Sequence, residues 1–307
     1  MPVSTPIHLP YCLSLILGIQ PRSVLDIGCG FGTWGFLCRT HLDVFPGRVQ
    51  PHEWITRIDG VELFEPYIQA HQRALYNHIR IEDVRSAAAN MDEYDLIIAG
   101  DVIEHLDKDD AEIVLDQLYA KARLALLVNI PIGAQGWDHP EMHGNPGELH
   151  RSAWVPEDFH PYPHAYEAFT LPNGAYGVFW CPKSLGVDAR LSGLISGADR
   201  AAQAGRLPRA HALLQQAHAL APEDPLTTVF LADVALRRGF RREALEVLSK
   251  ACTDAPDTHH VHQMLAQLQA RLGQHEAARA TLARLLAMPG LDTALQAEAS
   301  AQLQQLP

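Results

Sequence analysis

The sequence predicts an α/β domain followed by an all-α domain of helical repeats, on three observations. Residues 23–34 (SVLDIGCGFGTW) carry an apolar run into a carboxylate and then into glycines at alternate positions. Four more segments of strand character follow, alternating with helix-like stretches. Past residue 185 the tryptophans stop and a 34-residue period begins, with Gly205, Gly239 and Gly273 as its markers.

Taken in order, residues 10–19 read as a helix lying against the sheet, too short to span a membrane and without the basic start of a secretory signal. Residues 23–27 are the first strand, feeding a tight turn that leads into a helix over residues 31–40, with glycines where backbone must approach a ligand closely. Residues 41–54 insert a loop containing Pro and Gly before a second strand, 56–62, which ends on Glu62. A helix over 65–76 precedes a third strand at 77–83. The fourth strand, 94–100, runs straight into Asp101-Val102-Ile103-Glu104-His105-Leu106, and a helix over 108–121 leads to a fifth, 122–130, which Pro131 should end. Residues 166–171 and 175–182 make a closing hairpin through Pro172-Asn173-Gly174. Strands alternating with helices predict a parallel sheet covered on both faces.

The glycine turn narrows the ligand. Gly28, Gly30 and Gly32 follow the order G-x-G-x-G, with Thr33 where a dinucleotide fingerprint places its last glycine, and Asp26 would repel a pyrophosphate. The run resembles motif I of the class I S-adenosylmethionine-dependent methyltransferases, and the resemblance extends over about residues 20–183. It implies a Rossmann-like sheet of seven strands with the last antiparallel, S-adenosylmethionine as cofactor, and methyl transfer as the reaction. In that family the acid ending the second strand accepts hydrogen bonds from the ribose hydroxyls, which here is Glu62. An acid after the third strand lies beside the adenine amino group, which is Asp83, followed by Val84. Asp101 opens the segment under the methionine half. The implied cofactor set is therefore Asp26, Gly28, Gly30, Gly32, Glu62, Asp83, Val84 and Asp101.

Methyl transfer from a sulfonium needs no acid, but a proton leaving the acceptor needs a base, and histidine suits that task. His105 follows the fourth strand, and His150 lies in the long segment after the fifth, among five histidines between His139 and His164. These two are the candidate catalytic residues. Asp101-x-x-Glu104-His105 also resembles the E-x-x-E-H segment with which small-RNA 2'-O-methyltransferases hold a divalent ion. Under that resemblance Asp101, Glu104, His105 and His150 would hold Mg or Mn, ions that suit oxygen ligands with one or two imidazoles. Base without metal, metal ligand and helix cap with packed histidine all remain open readings of the segment.

In the carboxy-terminal part Ala210, Ala244 and Ala278 follow each marker glycine by five residues and Leu214, Leu248 and Leu282 by nine. This resembles the tetratricopeptide repeat, with Pro222 and Pro256 closing two units and residues 292–306 a capping helix. The expected domains are 1–185 and 186–307. Residues 1–185 hold 12 Lys and Arg against 24 Asp and Glu, and residues 186–307 hold 12 against 12, so the net charge of -12 belongs to the first domain. Such a surface disfavours nucleic acid as a partner. Five scattered cysteines without a C-x-x-C pair fit a cytoplasmic setting and no zinc site. The expected acceptor is a small-molecule or sugar hydroxyl, with the repeats free to hold a protein partner. Methylation of a protein or peptide docked on the repeats, and a non-catalytic scaffold, are the alternatives.

Overall fold

The computed structural model describes residues 5–133, 144–172 and 174–306. His139, His143 and the turn residue Asn173 lie outside them. The chain divides into two units, Met1–Gly186 and Val187–Pro307.

The first unit is built on a seven-stranded sheet in the order β3-β2-β1-β4-β5-β7-β6. Its strands are β1 (Ser23–Ile27), β2 (Arg57–Glu62), β3 (His78–Ile81), β4 (Tyr94–Gly100), β5 (Ala122–Ile132), β6 (Ala165–Leu171) and β7 (Gly174–Pro182). The first five pair in parallel, and β7 runs antiparallel to both β5 and β6. Alternation along the strands sends residues to two separate cores. Leu25, Ile27, Ile97 and Ala99 pack on one face under α4 (Val84–Asn90) and α5 (Lys108–Lys121). Val24, Leu96, Ile98 and Leu127 pack on the other with α1 (Leu9–Ile19) and α2 (Thr33–Arg39). Asp26 shares its face with Val24, which places its carboxylate beneath α2 and not in the crevice at the strand ends.

Two local expectations are revised. The helix expected over 65–76 is a single 3-10 turn, Glu65–Tyr67, followed by the short α3 (Ala70–Leu75). Pro131 does not end β5, which runs on to Ile132. The parallel ladder with β4 ends at Asn129, whereas Pro131 faces Tyr176 of β7, so beyond Asn129 the strand has a partner on one side only and tolerates a missing N–H.

The inserted loop is tied down from within. Arg39, 1 % exposed, donates to Asp43, to the carbonyls of Thr56 and Leu75, and to the Asn77 side chain. Asp43 also accepts from Arg48 and from the Ile55 N–H. A buried pair of this kind is tolerated because the guanidinium nitrogens and both carboxylate oxygens of the pair are themselves hydrogen-bonded.

The second unit is a run of helices, α6 (Val187–Gln203), α7 (Leu207–Leu220), α8 (Pro225–Arg237), α9 (Arg241–Asp254), α10 (His259–Arg271), α11 (His275–Leu286) and α12 (Thr293–Gln305). Gly205, Gly239 and Gly273 have φ of 75°, 85° and 75°. Each ends the first helix of a pair, and the N–H after each reaches back to the carbonyl five residues earlier: Arg206 to Ala201, Phe240 to Ala235, Gln274 to Gln269. One helix stop is thus used three times, and it needs a residue at ease with positive φ. Ala210, Ala244, Ala278, Leu214, Leu248 and Leu282 are all fully buried.

Candidate active site

A cavity of about 270 Å³ opens at the carboxyl ends of β1, β2 and β4. The glycine loop forms one wall. Gly28 and Gly30 have φ of 66° and 47°, and a Cβ on Gly28 would come within 2.5 Å of Val102. Both conditions exclude a side chain, so the loop backbone itself faces the cavity.

Glu62 ends β2 and joins it to that loop. One carboxylate oxygen accepts the Gly30 N–H at 2.9 Å and the other the Phe64 N–H at 2.8 Å. Burial raises its pKa, the two N–H donors opposing. Each oxygen keeps a lone pair for a further donor. Asp83 caps α4 by accepting the Arg85 N–H and also holds the Arg85 guanidinium, which keeps its carboxyl below the usual range. Val84 lines the cavity beside it.

Beyond β4 the backbone turns sharply. Asp101 has φ of 50°, a left-handed conformation rare outside glycine, and costing on the order of 1 kcal/mol. Its N–H donates to the Asn129 carbonyl, and its side chain accepts from the Tyr176 hydroxyl at 2.8 Å, which in turn accepts from the Asn129 amide. Next come Glu104 and His105 in a 3-10 turn. Glu104 is buried, and burial, followed by the charge of the nearby Asp101 carboxylate, pushes its pKa well above the ordinary value. The His105 and His150 rings meet edge to face with centroids 4.9 Å apart. Burial lowers the His105 pKa, and its Nδ1 lies 3.3 Å from the Leu149 carbonyl. One ligand atom from each of Glu104, His105 and His150 falls within 4.8 Å of the others.

The far wall comes from the segment after β5. Tyr67 donates to Glu148 at 2.9 Å, and the Arg151 and Ser152 N–H groups both donate to the Glu104 carbonyl. Six carboxylates line the cavity against two guanidinium groups, a donor set suited to a ligand that carries positive charge.

A methyltransferase domain family model matches residues 12–139, and a tetratricopeptide repeat model matches residues 201–268. The amino-terminal unit contains a methyltransferase domain. Among solved structures, the chain is similar to magnesium protoporphyrin IX methyltransferase from Synechocystis PCC 6803 with bound SAH, at 17 % identity over 57 % of this chain and 82 % of that one, with a TM-score of 0.42. It is similar to TehB from Haemophilus influenzae at 16 % identity over 59 % and 64 %, with a TM-score of 0.43. Its repeats are similar to PcrH from Pseudomonas aeruginosa at 21 % identity over 40 % and 95 %, with a TM-score of 0.37. No curated protein matches the chain.

Set on this methyltransferase domain, the residues expected from sequence divide. Gly28, Gly30, Glu62, Asp83, Val84, Asp101 and His105 line one cavity. Asp26 and Gly32 do not. Asp26 is 1 % exposed and accepts from Tyr76, so it braces the loop from behind, and Gly32 (φ of 90°) lies where a Cβ would meet Gln72 at 2.9 Å. Of the four residues expected to hold a metal, Glu104, His105 and His150 converge, while Asp101 stands outside that group. Tyr176, Asn129, Tyr67 and Arg151 were not anticipated. Glu148 and Arg151 flank His150 closely enough to have been suspected, but nothing in the sequence marks Tyr176, whose partner is 75 residues away.

Proposed function

We propose that this chain transfers a methyl group from S-adenosylmethionine to the hydroxyl of a small molecule or sugar, with His105, backed by His150, as the base. The observation that carries the reading is that His105, whose ring meets that of His150, lines the cavity that also holds the glycine loop, Glu62 and Asp83. The donor set supports the cofactor, since an acidic lining favours a sulfonium and an ammonium over a pyrophosphate. When bound, S-adenosylmethionine supplies an electrophilic methyl whose leaving group is a neutral thioether. Glu62 would hold the ribose through its free lone pairs, Asp83 and Val84 the adenine side, and the bare backbone of Gly28 and Gly30 the amino-acid end. The acceptor oxygen gains a bond to carbon and loses its proton to His105, which burial keeps neutral and able to accept it.

A second reading adds a divalent ion. Glu104 supports it, because a buried carboxylate beside two imidazoles fits a cation such as Mg or Mn. Glu104, His105 and His150 would hold the ion, which would polarise an acceptor oxygen. A cytoplasmic setting belongs to the same proposal, supported by five cysteines that are all buried. No helix among the described residues is long and apolar enough to cross a membrane. The repeats would hold a protein partner or carrier.

Titration with S-adenosylhomocysteine should give saturable heat, and radiolabelled methyl donor should label hydroxyl-bearing small molecules or glycans. Label entering protein alone would overturn the acceptor class and favour a peptide substrate docked on the repeats. Turnover unchanged by a strong chelator, with no Mn(II) signal broadened on binding, would end the metal reading.

A further inference from the structure

The cavity holds a cation that the fold leaves free. Of the two guanidinium groups lining it, Arg85 is engaged by Asp83 at 2.7 Å and by Asp110 at 3.0 Å. Arg151 is different. Among the described residues its guanidinium has no hydrogen-bond or ion-pair partner, although the cavity around it is rich in carboxylates. The residue is exposed, but its backbone is fixed, because its N–H donates to the Glu104 carbonyl at 2.7 Å and that of Ser152 at 3.0 Å. This clamp roots the side chain one residue from His150 and against the turn that carries His105.

A guanidinium stays charged at every working pH and offers a planar fork of donors that matches carboxylate or phosphate in a bidentate pair. Exposed where it lines the cavity, on backbone tied to the Glu104 turn, and unpaired among the described residues, that fork lacks the anion it fits. We propose that Arg151 binds an anionic group, carboxylate or phosphate, on the methyl acceptor and thereby orients its hydroxyl toward His105 and His150. The inference rests on the methyltransferase reading and narrows its acceptor to an anionic hydroxyl compound. The cofactor carries a carboxylate of its own, and the test must separate the two.

Ligand-observed NMR on full-length protein saturated with S-adenosylhomocysteine does so with matched pairs: 3,4-dihydroxybenzoate against catechol, and glucose 6-phosphate against glucose. At least one anionic member should bind tenfold or more tightly than its neutral partner, the size expected of one charge-assisted pair. Which pair shows it tells carboxylate from phosphate. Arg151→Gln should abolish the preference while leaving the S-adenosylhomocysteine affinity within about twofold, well under 1 kcal/mol. A parent that prefers neither anion, binding of none included, overturns the proposal, as does a variant that keeps the preference. Weakened S-adenosylhomocysteine binding by the variant overturns it as well, assigning Arg151 to the cofactor carboxylate. Failure of the parent to bind S-adenosylhomocysteine is a separate result that removes the underlying cofactor reading and this proposal together.

Discussion

The Tyr76 hydroxyl donates to Asp26 Oδ2 at 2.5 Å and accepts the Gly35 N–H at 3.1 Å. One side chain from the end of α3 thus joins the acid of the glycine motif to the helix that follows it. The ring lies so close to α2 that a Cβ on Gly35 would come within 2.1 Å of Tyr76 Cζ. Gly35→Ala should therefore expel the ring and cost about 1–3 kcal/mol or more, read as a fall in melting temperature. Asp26→Asn should keep S-adenosylhomocysteine affinity within about threefold, less than the 1.4 kcal/mol that a tenfold change represents. A larger loss would place Asp26 in contact with the cofactor after all.

Most of the sheet was readable because its strands end on chemistry. Glu62 is the last residue of β2 and Asp101 directly follows the apolar end of β4, which occupies the span that its seven residues suggest. The marker glycines of the repeats were readable for the same local reason, since a left-handed helix stop leaves a glycine at a fixed interval. What the sequence hid is long-range. Asp26 looks like a cofactor ligand until Tyr76, 50 residues on, is seen against it. His105 and His150 were recognisable as a type of residue, but only folding brings them to 4.9 Å.

Two buried groups should give stability opposite pH slopes over one window. Burial lowers the His8 pKa from 6.5 to about 4 and raises that of Asp26 from 3.8 to about 7. For His8 the unfolded chain binds the extra proton, so stability falls as pH drops from 6.5 toward 4. For Asp26 the folded chain binds it, so stability falls as pH rises from 3.8 through 7. Each swing is about 3–4 kcal/mol, and between pH 4 and 6.5 the two oppose. His8→Phe should leave stability declining with pH across that window, and Asp26→Asn should leave it rising. Urea unfolding at pH 4.5, 5.5 and 6.5 reads both slopes, and equal slopes in the two variants would contradict the assignment.

Glu62 is asked to do two things, to shape the loop through Gly30 and to receive the ribose. Glu62→Gln keeps its size but turns one acceptor into a donor facing an N–H. A hydrogen bond to a charged group is worth about 1.5–3 kcal/mol, so S-adenosylhomocysteine affinity should fall about 10- to 100-fold by calorimetry. Unchanged affinity would free the carboxylate of any cofactor role.

His105 should set the acid side of the pH–rate profile. Because burial lowers its pKa below 6.5, the neutral ring predominates at pH 7, and kcat should fall only as pH drops through a value below 6.5. His105→Asn should lower kcat about 10²- to 10⁴-fold, the usual worth of general-base catalysis, with S-adenosylhomocysteine affinity retained. The variant should also lose that acid limb, which a merely structural change would leave in place. If the limb survives in His105→Asn and disappears in His150→Asn, the two rings exchange roles. If it survives in both, proton removal belongs to another group, and a metal-bound acceptor at Glu104 becomes the reading to pursue.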